Sequence, residues 1–316
     1  MNPSIAVVMD PIEAIHPTKD TTFALMLEAQ RRGYAIFYVR PGSLSIKNGA
    51  SHGYLSKIQL KDDKYQYFTL DSGADRALSE MDCILMRKDP PVDAQFIHDT
   101  QILSLAESEG VLVVNRPQGL RDLNEKLAAL LFPQCCPETL VSRNVTEFKE
   151  FIRVVGDAVL KPLDGMGGKS IFRVRHGDAN ANVILETLTE NGALALAQRY
   201  LPEIRDGDKR ILLIDGEPVA HVLARIPQGD EFRGNLAAGG KGEGRALSDR
   251  DRWIASQVGP WLKAQGMLFV GLDVIGEYLT EINVTSPTCV RELDAQFGLN
   301  IAALLFDAIE SRLSDR

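Results

Sequence analysis

Leu268-Phe-Val-Gly-Leu-Asp-Val-Ile-Gly-Glu-Tyr-Leu-Thr-Glu-Ile-Asn-Val284 decides how this chain folds around its chemistry. Two apolar runs, 268–275 and 278–284, flank Gly276-Glu277, which is the pattern of a β-hairpin. Pairing about that turn sets Asp273 opposite Glu281, and period-two alternation puts Asn283 on the same face as Glu281. Two facing carboxylates repel unless a cation, a proton or solvent offsets them. With an amide oxygen beside them and no histidine or thiol, the set suits a hard cation such as Mg²⁺ that retains room for water and phosphate oxygens.

A second stretch, Lys161-Pro-Leu-Asp-Gly-Met-Gly-Gly-Lys-Ser170, lies between two strand-like runs, 157–160 and 171–174. Its glycines let backbone N–H groups approach an anion. It fits neither common phosphate fingerprint. Position 163 is Leu where a Walker A loop needs Gly, and Ser170 stands where a dinucleotide loop needs its third Gly. A tight hairpin turn and a phosphate loop are both open on this stretch alone.

The chain of 316 residues is long enough for two or three lobes. A net charge of −8 gives no reason to expect nucleic acid or an anionic membrane as partner. No apolar run approaches a membrane span and no signal peptide is evident, so the cytoplasm is the expected compartment. The four cysteines, Cys83, Cys135, Cys136 and Cys289, have no C-x-x-C spacing and are expected to be free thiols.

In chain order, strand 5–9, helix 21–32 with Asp20 as N-cap, and strand 34–39 predict an open parallel sheet. Strand 83–86 delivers Arg87-Lys-Asp-Pro-Pro91 at its carboxyl end, where ligands gather in such sheets. A solvated, proline-stiffened loop is the alternative. Residues 122–131 predict a helix carrying Lys126, and Thr146 is the expected N-cap of a helix to 155. Strands 209–214 and 218–224 pair about Asp215-Gly216. Residues 226–245 hold six glycines with Arg233 and Lys241, and a mobile lid is expected there. The expected division is an N-terminal α/β domain, 1–122, and a second domain, 123–316.

Lys126, Lys161 with its Gly-rich turn, and Asp273 with Glu281-x-Asn283 resemble the ATP-grasp superfamily. The blocks Met86-Arg-Lys-Asp-Pro-Pro91, Lys161 to Gly168, Ala224-Arg-Ile-Pro-Gln228, Gly234-Asn-Leu-Ala-Ala-Gly239 and Glu281-Ile-Asn-Val-Thr-Ser-Pro-Thr288 resemble the bacterial glutathione synthetase family. The resemblance implies an α/β fold, an open parallel-sheet domain followed by a two-lobed ATP-grasp fold. It implies ATP-dependent joining of γ-glutamylcysteine to glycine through an acyl phosphate. Lys126, Lys161, Gly165, Met166, Gly167 and Gly168 would then hold ATP phosphates. Gln198, Tyr200 and Leu201 would meet the adenine, and Asp208 the ribose. Asp273, Glu281 and Asn283 would bind Mg²⁺, or Mn²⁺ in its place. Arg210 and Arg225 would steady the transferred phosphoryl group, and Arg87, Lys88, Ser286 and Arg291 would meet the dipeptide. A homo-oligomer, a tetramer, is implied as well. Three alternatives stay open: another ATP-grasp ligase, a non-catalytic nucleotide-binding regulator, and a small-molecule kinase.

Overall fold

The computed structural model describes residues 3–229, 231, 233–234, 236 and 239–315. Three sheets follow one another along the chain. The first contains β1 (Ser4–Val8), β2 (Ala35–Val39), β3 (Ser45–Lys47), β4 (Ala50–Leu60), β5 (Phe68–Leu70), β6 (Ala74–Ala77), β7 (Cys83–Met86) and β8 (Leu112–Val114). Its main path runs β3-β4-β2-β1-β7-β8. β2, β1, β7 and β8 are parallel, and β3 to β6 form the antiparallel excursion after β2.

Helix α1 (Thr21–Arg31) starts where Asp20 Oδ1 accepts the Phe23 N–H at 2.7 Å. Helices α2 (Ala94–Ser108) and α3 (Pro117–Asp122) complete this part of the chain. Lys126 stands after α3 rather than in a helix, which departs from expectation. Asn124 Oδ1 accepts the backbone N–H groups of Lys126 and Leu127 at 3.0 and 3.1 Å, closing a turn.

The second sheet, ordered β11-β10-β12-β9, is antiparallel. It comprises β9 (Thr139–Ser142), β10 (Asp157–Pro162), β11 (Phe172–Arg175) and β12 (Ala195–Arg199), covered by α4 (Val145–Val155) and α5 (Ala181–Leu188). Phe148, Ile152, Leu160, Val174 and Leu185 form its own small core. Asn144, not Thr146, caps α4: its side chain accepts the Thr146 N–H at 2.9 Å.

The third sheet, ordered β15-β14-β13-β16-β17, contains β13 (Asp208–Ile214), β14 (Glu217–Ile226), β15 (Lys241–Ala246), β16 (Phe269–Ile275) and β17 (Tyr278–Asn283). Helix α6 (Asp249–Ala264) opens with a Ser248–Asp251 capping box. The expected twenty-residue lid is shorter at both ends, because β14 runs to Ile226 and β15 begins at Lys241. Positions 230, 232, 235, 237 and 238 of that segment lie outside the described residues. Two final helices, α7 (Val290–Phe297) and α8 (Ile301–Ser314), pack back on the first sheet's side, with α1 against α8. Asn115 locks the first and third sheets together. Its amide donates to the Phe269 and Val284 carbonyls, both at 2.7 Å, and accepts the Phe269 N–H at 2.9 Å.

Candidate active site

A cavity of about 360 Å³ opens between the second and third sheets and reaches the loop after β7. Its polar wall follows from strand register. β13 sets Asp208 opposite Arg225 of β14 and Arg210 opposite Asp273 of β16, and β16 sets Asp273 opposite Glu281. Asp208 and Arg210 are two apart on one strand, as are Glu281 and Asn283, so the groups share one face. Each carboxylate therefore meets a cation.

Arg210 Nε donates to Asp273 Oδ1 at 2.5 Å and its Nη2 to Oδ2 at 3.1 Å. Arg225 Nη2 lies 3.0 Å from Asp273 Oδ2 and also pairs with Asp208 Oδ2. Lys161 Nζ is 3.2 Å from Glu281 Oε1, with Lys126 Nζ at 3.8 Å. Burial works against ionisation of Asp273, but Arg210 and Arg225 outweigh it and hold the carboxyl well below the usual range. Burial likewise opposes ionisation of Glu281, and Lys161 and Lys126 prevail there. Asp208 goes the other way. Burial, joined by the charge of Asp273, pushes it up to about 7 despite Arg225. Its Oδ1 is buried with no hydrogen-bond partner among the described residues.

The Gly-rich turn faces this wall from the second sheet. Gly167 and Gly168 take φ of 61° and 80°, the left-handed region that favours glycine. Lys126 Nζ donates to the Gly165 carbonyl at 2.7 Å, and Arg233 reaches across to donate to the Gly168 carbonyl at 2.8 Å. Met166 lines the cavity, 38% exposed. Farther in, Gln198 donates to Thr139 Oγ1 at 3.1 Å, Tyr200 lies under the Arg173 guanidinium, and Leu201 lines an apolar end with Val159, Ile204 and Ile275.

Ser286 lines the cavity beside Asp89, whose carboxyl pKa burial raises and Ser286 helps to lower. The other expected dipeptide contacts do not come to it. Arg87 is buried behind it, donating to the Pro287 carbonyl at 2.9 Å and to Thr22 Oγ1 at 3.1 Å. Burial lowers its guanidinium to about 10. Lys88 pairs with Asp99 at 2.8 Å, and Arg291 with Asp62 at 2.8 Å. Conversely, Glu125, Thr285, Asp89 and Cys289 line the cavity without having been singled out as site residues. Thr285 lay in a block carrying the resemblance, but Glu125 had only its place beside Lys126 as a signal.

The donor set fits a divalent cation in kind. Asp273, Glu281 and Asn283 offer hard oxygens, and the Asn283 amide N–H₂ donates to the Gly271 carbonyl at 3.2 Å, which leaves its oxygen for another partner. Asp273 is already shared with two guanidiniums, but each carboxylate oxygen has a second lone pair.

Residues 4–121 match the model of the prokaryotic glutathione synthetase N-terminal domain, and residues 125–298 that of the prokaryotic glutathione synthetase ATP-grasp domain. The glutathione synthetase of Xanthomonas campestris pv. campestris is 66% identical over 312 residues, covering 98% of this chain and 99% of the relative. That of Escherichia coli K12 is 54% identical over 313 residues, 99% of each. Among solved structures, D-cycloserine synthetase DcsG superposes with a TM-score of 0.67 at 14% identity, over 97% of this chain and 99% of that one. The ATP-grasp ligase PsnB, solved with Mg and ADP, gives 0.63 at 18%, over 98% and 99%. These distant likenesses concern the fold, which is that of the ATP-grasp ligases. With both family models matched along one chain and relatives this similar over their full length, the chain belongs to the prokaryotic glutathione synthetase family.

Proposed function

We propose that the chain joins γ-glutamylcysteine to glycine at the expense of ATP, giving glutathione, ADP and phosphate. The observation that carries this beyond family membership is the alternating wall Arg225–Asp208, Arg210–Asp273 and Lys161–Glu281 in one cavity. Phosphoryl transfer asks little covalent work of a protein, so catalysis is positioning and charge stabilisation. Lys126 and Lys161 hold the nucleotide phosphates, with the Gly165–Gly168 backbone above them. Gln198, Tyr200 and Leu201 take the base, and Asp208 Oδ1, which has no hydrogen-bond partner among the described residues, accepts a ribose hydroxyl.

Asp273, Glu281 and Asn283 hold Mg²⁺, or Mn²⁺, which when bound supplies positive charge to the phosphate oxygens. Arg210 and Arg225 keep Asp273 ionised and offer their remaining N–H groups to the transferred phosphoryl group. The dipeptide carboxylate attacks the γ-phosphate, and the glycine amine then attacks the acyl phosphate. Water would destroy that intermediate, which is the physical need for a closing cover, the role we give to residues 226–245. Ser286 touches the dipeptide directly, Arg87 positions its loop, and Lys88 and Arg291 act from outside the cavity.

The proposal takes 1–122 as the N-terminal domain and 123–316 as the ATP-grasp domain. Its assembly is a homo-oligomer, a tetramer, and its compartment the cytoplasm. These three parts rest on sequence resemblance and composition. Among the described residues no helix is long and apolar enough to cross a membrane. The test is ADP release by the purified chain with γ-glutamylcysteine, with and without glycine. Turnover that needs both, with glutathione formed, is the expected result; ADP release needing neither would refute it.

A further inference from the structure

We propose that Met166, in the Gly-rich turn, is a site of reversible oxidation, where a peroxide converts the thioether to a sulfoxide and weakens nucleotide binding. This inference rests on the nucleotide reading of the cavity above and adds a modification that regulates it. Met166 is 38% exposed and lines the cavity together with Lys161 and Lys169. Its neighbours in the chain, Gly165 and Gly167, have no side chains to shield it, and a Cβ at Gly167 would meet nothing within 4 Å.

Selectivity follows from where the other sulfurs sit. Met9, Met26, Met81, Met86 and Met267 are buried, so Met166 is the one exposed methionine among the described residues. Cys83, Cys135 and Cys289 are buried too. Cys136 is half-buried, its Sγ donates to the Ala129 carbonyl at 3.1 Å, and burial pushes the thiol up to about 12. A cysteine reacts with peroxide as its thiolate, which that environment suppresses. A thioether has no proton to lose and reacts as it stands, so access governs its rate.

The Met166 sulfur gives an electron pair to one peroxide oxygen. The S–O bond forms as the O–O bond breaks, and the leaving hydroxide takes the proton of the transferred oxygen and departs as water. Sulfur is oxidised and the peroxide reduced. The product is polar where the thioether was apolar, and its oxygen carries partial negative charge. Lys126 holds the Gly165 carbonyl at 2.7 Å and Arg233 the Gly168 carbonyl at 2.8 Å, so the turn is anchored on both sides of Met166. The new oxygen therefore sits on a loop that faces the nucleotide phosphates, and it opposes their charge. Methionine sulfoxide reductases return the thioether, which makes the change reversible.

The experiment treats the full chain with hydrogen peroxide, with and without Mg·ATP, removes the peroxide with catalase, and then maps added oxygen by peptide mass and measures the KM values. Met166 is expected to be the first residue oxidised and Mg·ATP to slow its oxidation. The ATP KM should rise about fivefold or more while the dipeptide KM holds, and the two methionine sulfoxide reductases together should restore it. Met166→Leu, compared with its own value before treatment, should keep its ATP KM. Oxidation of a cysteine ahead of Met166, an oxidised Met166 with an unchanged ATP KM, or an equal rise in treated Met166→Leu overturns the proposal. Absence of turnover in the untreated chain would sink the ligase reading alone, because equilibrium binding of Mg·ATP before and after treatment still decides this one.

Discussion

Arg210 and Asp273 stand directly opposite on β13 and β16, and the guanidinium grips both carboxylate oxygens, Nε at 2.5 Å and Nη2 at 3.1 Å. Arg225 closes on the same carboxylate at 3.0 Å. Asp273 is therefore at once the counter-ion of two buried cations and a proposed metal ligand. Asp273→Asn leaves both guanidiniums short of charge in a dry site, and breaking such a pair costs about 3–5 kcal/mol. The expected result is a large fall in unfolding free energy, read by urea denaturation, together with loss of turnover. Glu281 differs because its side chain is 21% exposed and its buried partners are two lysines, not a guanidinium pair. Glu281→Gln keeps an oxygen acceptor for them and is expected to cost less stability than Asp273→Asn, while turnover falls by two orders of magnitude or more. Unchanged activity at saturating Mg²⁺ would reject Glu281 as a ligand.

The acidic groups of the wall give stability a pH dependence of two signs. Asp208 is raised to about 7 in the fold from an ordinary value near 3.8, so the folded state binds its proton more readily than the unfolded state. Its contribution is present in full below about pH 4 and is lost as pH rises toward 7. Asp273 and Glu281 are depressed, so their contribution is present above about pH 4 to 5 and is lost on further acidification. Asp208→Asn mimics the protonated form. The melting temperature of the nucleotide-free variant should vary less than that of the unaltered chain between pH 5 and 8. An identical pH profile in both would remove Asp208 as the cause.

How much of this was legible depended on whether a contact is local. The hairpin register needed only Gly276-Glu277 and period-two alternation, and it gave Asp273 opposite Glu281. Lys88 and Arg291 look in sequence like any cation beside a binding loop. Their partners Asp99 and Asp62 sit on α2 and after β4, a tertiary matter that no spacing announces. Glu125 was hidden in a stretch with helical spacing that Asn124 turns into a capped loop. β15 was hidden by its glycines. A Cβ on Gly244 would come within 2.3 Å of the Phe297 ring, so the strand has no apolar pattern to read.

Arg87 shows the same point as a prediction. It is buried, spans from Thr22 on α1 to the Pro287 carbonyl, and lies over the Phe269 ring. It therefore sets the loop that presents Ser286 without entering the cavity. Arg87→Lys keeps the charge but has no planar fork to serve both acceptors. The variant should lose about 1–3 kcal/mol of stability, and its KM for the dipeptide should rise about tenfold while that for ATP holds. A larger rise for ATP than for the dipeptide would place the loop's role elsewhere.

Arg233 is the described contact between the 226–245 segment and the Gly-rich turn, through Gly168. Its guanidinium also pairs with Glu231, so it braces its own loop while reaching across. If that bridge helps keep water from the acyl phosphate, Arg233→Ala should uncouple the reaction. ADP would form in excess over glutathione, and the excess should shrink as glycine is raised, because amine and water compete for one intermediate. A stoichiometry of one ADP per glutathione at every glycine concentration would assign the bridge to nucleotide binding alone. In that case the ATP KM, not the product ratio, should carry the whole effect.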